Sequence, residues 1–144
     1  MNRVDKKRIC VGLIGSTDSF ENVVANHVEY LYNSLYDQYV DVAISTIPGD
    51  NFHDVCAAMQ PSFIDTMSES VPESHARILE YCQGEDYDMC ILLRFDVLLN
   101  RPFIHLFNRG IHPEDGFYVV HRDMYTKAYK AFRRLNMSNT NGFL

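Results

Sequence analysis

The stretch Met89-Cys90-Ile91-Leu92-Leu93-Arg94-Phe95-Asp96 restricts the fold more than any other. A continuous apolar run ends in a guanidinium and a carboxylate two positions apart. Side chains on a strand alternate between faces, so Arg94 and Asp96 share one face and Phe95 takes the other. Neither ion enters an apolar core alone without a large desolvation cost. The strand must therefore end at this pair, with both charges looking into a cleft at the carboxyl edge of a sheet. In open α/β sheets that edge is where ligands bind. An arginine there offers a fixed cation for phosphate, and an aspartate offers a carboxylate for a metal or a sugar hydroxyl.

The rest of the chain supplies that sheet. Residues 8–14 read as a buried first strand, turned by Gly15-Ser16-Thr17-Asp18. Asp18 and Glu21 have the spacing of a capping box, and Phe20, Val23, Val24, Val28, Leu31 and Leu35 recur at helical spacing over about four turns. Residues 40–47 form a second strand, stopped by Pro48-Gly49-Asp50. A short helix over 55–59 and a short strand over 62–67 follow. Ser70, Pro72 and Glu73 start a helix whose buried face is Val71, His75, Ile78, Leu79 and Cys82, and Gly84 ends it. After the Arg94 strand come the apolar segment 103–107, a last strand over 117–120, and a final helix marked by Met124, Ala128, Phe132 and Leu135. The polar tail 138–144 frays. This alternation predicts one α/β domain spanning 1–144, with a mainly parallel sheet and strands near 8–14, 40–47, 89–95 and 117–120.

Composition narrows the function classes. A formal net charge of −6 argues against a dedicated nucleic-acid binder. The one basic cluster, Lys127, Lys130, Arg133 and Arg134, reads as a solvated helix face that suits the C-terminal dipole. No apolar run reaches membrane-spanning length, and the run 9–14 is too short for a secretory signal. A soluble cytoplasmic protein is expected, with Cys10, Cys56, Cys82 and Cys90 as free thiols rather than disulfides or zinc ligands. There is no G-x-G-x-x-G, no P-loop and no G-x-S-x-G elbow, and the six histidines never stand at i, i+4.

Several segments could carry chemistry. Gly15 and Ser16 permit close backbone approach before a helix N-terminus, though taken alone they read first as an ordinary turn plus cap. The same holds for Ser45 and Thr46 at the end of strand two. Arg94 and Asp96 could form a structural ion pair. The functional reading is preferred because they interrupt an apolar strand at the ligand edge. Glu114 and Asp115 precede the last strand, where taken alone they read first as a solvated turn with Gly116, and second as a site for a metal, a proton or sugar hydroxyls. A mainly parallel sheet predicts one cleft shared by Gly15, Ser45, Arg94 and Asp96.

Taken in order, residues 8–135 resemble a loose group of viral and bacterial glycosyltransferases of the GT-A type. The resemblance rests on Ile14-Gly15-Ser16, on the strand ending in Ser45-Thr46, and on Arg77-Ile78-Leu79-Glu80. It rests further on the Arg94-Phe95-Asp96 strand and on Glu114-Asp115-Gly116-Phe117-Tyr118. It implies a GT-A-like, Rossmann-related domain that moves a sugar from a nucleotide-diphospho-sugar to a glycan or other hydroxyl acceptor. In that group an Asp-x-Asp motif holds a divalent cation against the diphosphate. Asp96 matches its last aspartate, as a ligand for Mn²⁺ or Mg²⁺, and Arg94 replaces its first and stands by the leaving phosphate. Gly15, Ser16, Ser45 and Thr46 fall where base and ribose rest, and Glu114 and Asp115 where the acceptor or a base belongs. Ser16-Thr17-Asp18 stands where the group often has an arginine. The chain stops at Gly142-Phe143-Leu144, before a later histidine-containing segment. That implies a domain short at its C-terminus, with a non-catalytic nucleotide-binding module as the alternative.

Overall fold

The structure is a computed structural model that describes residues 6–103, 110–114 and 117–138. Strands β1 (Arg8–Ser16), β2 (Tyr39–Ile47), β3 (Phe63–Asp65) and β4 (Met89–Arg94) form a parallel array, joined by two further strands, β5 (Ile111–Glu114) and β6 (Phe117–His121). The sheet order is β3-β2-β1-β4-β6-β5, and only β6 runs against its neighbours. The expected α/β fold with a mainly parallel sheet is therefore what the chain adopts.

Both faces of the sheet are covered. Ile9, Val11 and Leu13 point to one face with Ile91 and Leu93, against Leu31 and Leu35 and against Val55 of α2 (Phe52–Met59). Cys10 and Ile14 point to the other with Cys90 and Leu92, against Ile78, Leu79 and Cys82 of α3 (Val71–Gly84) and Ala128 and Phe132 of α4 (Tyr125–Ser138). Two-sided burial is why β1 and β4 are apolar without alternation. Cys10, Cys82 and Cys90 are buried free thiols. Burial pushes Cys82 and Cys90 well above the ordinary thiol value, which suits an apolar packing role.

Several boundaries differ from expectation. The first helix is not one continuous run capped by Asp18. Ser16 Oγ accepts from the Asp18 N–H at 3.2 Å, heading a 3₁₀ turn over Thr17–Ser19. Then α1 (Phe20–His27) loosens into a π turn over Val28–Tyr32 and tightens into a 3₁₀ turn over Asn33–Leu35. β5 adds a strand where the sequence reads as a turn leading into the last strand. It accommodates Pro113 as the outermost strand, where a missing N–H is tolerated. The start of α3 matches expectation: Ser70 Oγ accepts from the Glu73 N–H at 3.1 Å. Of the apolar segment 103–107, Phe103 is buried and the remainder lies outside the described residues, as does the tail 139–144.

Gly12 sits where α3 crosses β1. A Cβ there would lie 2.8 Å from Cγ2 and 2.9 Å from Cδ1 of Ile78. Gly12→Val should lower stability by about 1–3 kcal/mol through overpacking. Gly84→Ala, where a Cβ meets nothing within 4 Å, should be neutral or raise stability by up to about 1 kcal/mol. Urea unfolding of both variants checks the contrast, and equal effects would contradict this account of the α3 crossing.

Candidate functional site

The carboxyl ends of β1, β2 and β4 open into one cleft. It is lined by Gly15 and Ser16 of β1, Ser19, Ile47 of β2, Val71 of α3, and Arg94 and Asp96. Its volume is ≈ 220 Å³, below the ~300–1,000 Å³ usual for drug-sized ligands. A phosphate-sized group fits inside, and anything larger must extend along the sheet edge.

Each wall follows from local sequence. Gly15 has φ 102°, a conformation strained for other residues, although a Cβ there would meet no atom within 4 Å. This turn aims the Gly15 carbonyl at Thr46, whose hydroxyl donates to it at 2.5 Å. β4 stops at Arg94 as its charge demands. Phe95 remains buried on the opposite face, with its N–H donating to Ile14 O at 2.9 Å. Arg94 Nε donates to Asp96 Oδ1 and Arg94 Nη2 to Asp96 Oδ2, both at 3.1 Å. The two side chains are 42% and 50% exposed, so the pair contributes at most about 1 kcal/mol and is open to exchange. The first turn of α3 adds its positive dipole end on the Val71 side.

Gly15, Ser16, Arg94 and Asp96 thus line one cleft. Ser45 and Thr46 do not, which corrects the expectation for Ser45. Its side chain faces the interior, where Ser45 Oγ donates to Asp65 Oδ2 at 2.7 Å and lies 2.7 Å from Ser74 Oγ. Ser68 also donates to Asp65 Oδ2, and the Met67 N–H donates to Oδ1 at 2.9 Å. Burial works to raise the Asp65 carboxyl. The bonds from Ser68, Ser45 and Met67, helped by the charge of Arg77, hold it below its ordinary value. This network fixes the loops behind the cleft. Its signal in the sequence is faint: an aspartate ending a short strand in register with Ser45. Ile47 and Val71, also missed, look like ordinary apolar residues beside a proline.

Glu114 closes β5, and its backbone pairs with Phe117, which in turn pairs with Leu93 beside Arg94. The end of β5 and the start of β6 therefore lie at the same sheet edge as the cleft. Asp115 lies outside the described residues. Among the described residues, no three His, Cys, Asp or Glu side chains are grouped to hold a metal. Asp96 is the one described carboxylate lining the cleft.

His75 lies one helical turn beyond Val71. Its ring stacks on Phe132 at 4.5 Å and meets Tyr118 edge-on at 5.7 Å, and Nδ1 is buried without a partner. Burial, then the charge of Arg94, pushes it down to about 4.

No protein-family model matches the chain, and no curated protein matches its sequence. Among solved structures, it is similar to a mannosyltransferase of Pyrobaculum calidifontis in complex with GDP-Man and Mn²⁺, with TM-score 0.60 and 8% identity, over 85% of this chain and 47% of that one. The chain thus spans about half the length of that enzyme. A provisionally assigned nucleotide-diphospho-sugar transferase of Desulfovibrio desulfuricans aligns with TM-score 0.48 and 11% identity, over 97% of this chain and 79% of that one. The first likeness shows a glycosyltransferase-like, GT-A-like fold.

The neutral state of His75 has a consequence for acid stability. Between pH 6.5 and about 4 the unfolded chain binds a proton that the folded chain refuses, so stability should fall as pH drops through this window. The loss should reach roughly 3 kcal/mol. His75→Phe should flatten the slope, leaving a smaller one from His27, which burial also pushes down. Urea unfolding at several pH values checks this, and an unchanged slope in the variant would contradict it.

Proposed function

We propose that residues 1–144 act as a single nucleotide-sugar-binding domain that transfers a sugar from a nucleotide-diphospho-sugar to a glycan or other hydroxyl acceptor. The observation that carries this reading is the convergence of Gly15, Ser16, Arg94 and Asp96 on one cleft at the carboxyl edge of a GT-A-like sheet.

In this reading the diphosphate lies in the cleft, and the sugar and nucleoside extend along the sheet edge. Arg94 turns from Asp96 to the phosphate next to the bond that breaks. That exchange costs little, because both partners are already half in water. Asp96 would then hold Mn²⁺ or Mg²⁺, which suits a carboxylate supplemented by substrate phosphate oxygens and water. Such an ion neutralises charge developing on the leaving diphosphate. The acceptor hydroxyl attacks the anomeric carbon, the bond to the phosphate oxygen breaks, and Glu114 or Asp115 orients the hydroxyl or takes its proton. Ser45 and Thr46 keep their loops in place from behind rather than touching the donor. The reading assigns the protein to the cytoplasm and to viral or bacterial glycan synthesis.

The bidentate Arg94–Asp96 contact favours a second reading, a module that binds nucleotide through Arg94 without metal or turnover. A thermal-shift series with nucleoside diphosphates and nucleotide-sugars, with and without Mn²⁺, separates the two. A bound donor at a hundredfold excess over Kd should stabilise the chain by about 2.7 kcal/mol. Asp96→Ala should abolish the metal-dependent part, and Arg94→Ala should weaken binding with or without metal. Glu114→Ala or Asp115→Ala should lower turnover more than donor binding. Binding that ignores Mn²⁺, without donor hydrolysis or transfer, establishes the second reading, and absence of any nucleotide binding defeats both.

A further inference from the structure

The chain leaves the sheet just after Arg94. The Phe95 N–H donates to Ile14 O at 2.9 Å, and the Val97 N–H donates to Arg94 O at 3.3 Å, closing a turn whose middle residues are Phe95 and Asp96. Residues 97–103 then belong to no strand or helix, although Leu99 and Phe103 are buried in the same core as Leu31 and Leu93. Backbone groups drawn inside in this way need partners from elsewhere. α1 and the π turn after it supply them. His27, buried, holds Val97 O at 2.6 Å through Nε2. A carbonyl only accepts, so Nε2 carries the proton. Asn26 Nδ2 donates to Leu99 O, and Asn26 Oδ1 accepts from the Leu99 N–H, both at 2.8 Å. Tyr30 O, inside the π turn, accepts from the Phe103 N–H at 2.8 Å.

α1 therefore joins both sides of the cleft. It starts directly after Ser19, which lines one wall, and it grips the segment that follows Asp96 on the other. Its Phe20 also meets Phe95 edge-on at 6.4 Å. The residue type at 26 matters. A carboxamide carries a donor and an acceptor side by side, which a carboxylate or an alkyl chain lacks, and Asn26 uses both on Leu99. The Asp96 carboxylate itself is half exposed and bonded to Arg94 through both oxygens.

We propose, on the reading of the cleft given above, that Asn26 and His27 are positioning residues for Asp96. In the free chain the Arg94 guanidinium already holds the carboxylate. Once Arg94 turns to a donor phosphate, Asp96 loses that partner, and its place depends on the backbone to either side. On one side stands the bond from the Phe95 N–H to Ile14 O. On the other stand the bonds from His27 and Asn26, one and three residues along the chain from Asp96. Backbone fixed in advance loses less freedom when a ligand arrives. Arg94 needs no such help, because it sits in the ladder opposite Ile14. Asn26 and His27 thus serve the part of ligand binding that runs through Asp96, and not the part that runs through Arg94.

Titration of the full chain with UDP and with GDP, each with and without Mn²⁺ and below the melting range of every variant, tests it. In Asn26→Ala the gain in affinity that Mn²⁺ brings should fall about tenfold, at the low end of what groups supporting a metal-holding carboxylate contribute. Affinity without Mn²⁺ should stay as in the natural chain, whereas a merely structural role would lower both alike. In the ligand-free variant the Leu99 amide should exchange its hydrogen faster while β1 and β4 stay protected. His27→Leu should behave as Asn26→Ala does, and His27→Gln, whose amide can donate to Val97 O, should restore the Mn²⁺-dependent part. Asn26→Asp keeps the bond from the Leu99 N–H and loses the other, so it should fall between, and it serves if the alanine variant does not fold. Should Asn26→Ala exchange faster at Leu99 yet keep the whole gain from Mn²⁺, the inference is overturned and the reading of the cleft stands. Nucleotide binding that ignores Mn²⁺ in the natural chain also overturns it, because Asp96 then plays no part. If neither nucleotide binds the natural chain, the reading of the cleft and the inference fall together.

Discussion

The backbone ladder that joins β1 to β2 and β4, with apolar side chains on both its faces, is what the remaining structure depends on. A strand buried on both sides needs two covering layers. On one side α2 and the helical segment around Leu31 and Leu35 supply the layer, and on the other α3 and α4 do. Those layers can follow the ladder only as far as its side chains remain apolar. At Arg94 on β4 and at Gly15 on β1 they stop, and the opening left between α3 and the strand ends is the cleft. Its position is a consequence of where burial ceases to be favourable.

Behind that opening the structure spends its buried polar groups on rigidity. Asp65 is a buried carboxylate that accepts from two hydroxyls and a backbone N–H. Such a group is tolerated inside only while those bonds persist. Thr46 ties β2 to the Gly15 turn, and the Thr17 hydroxyl accepts from the Gly49 N–H at 3.0 Å, so neighbouring loops hold one another in place. Cleft walls fixed in this way cost little further ordering when a ligand arrives. Arg94 and Asp96 form the one part that remains free to exchange partners, because water already reaches both.

Charge is distributed with the same division of labour. Arg94 and the start of α3 make the cleft attractive to anions in a chain that is acidic as a whole. The exposed cations of α4 lie on the outer side of the layer whose inner side stacks Phe132 on His75.

The sequence alone determined the α/β class, the four parallel or adjoining strands near 8–14, 40–47, 89–95 and 117–120, and the end of β4 at Arg94. These follow from local rules: period-two burial, helical spacing, and the cost of burying an ion. It also placed Gly15, Ser16, Arg94 and Asp96 at one edge, because parallel strands put their carboxyl ends together. Only the tertiary structure decided that Ser45 and Thr46 turn inward, since that depends on Asp65 and Ser74 arriving from distant segments to meet Ser45, and on the Gly15 carbonyl reaching Thr46. It decided that Asp18 does not cap the first helix, because Asp18 lies inside a 3₁₀ turn that Ser16 caps by accepting from the Asp18 N–H, and that Pro113 sits in an outer strand. It also decided that His75 is neutral, through aromatic packing across α3, β6 and α4. These outcomes rest on pairings between residues far apart in the chain, and local periodicity carries no record of them.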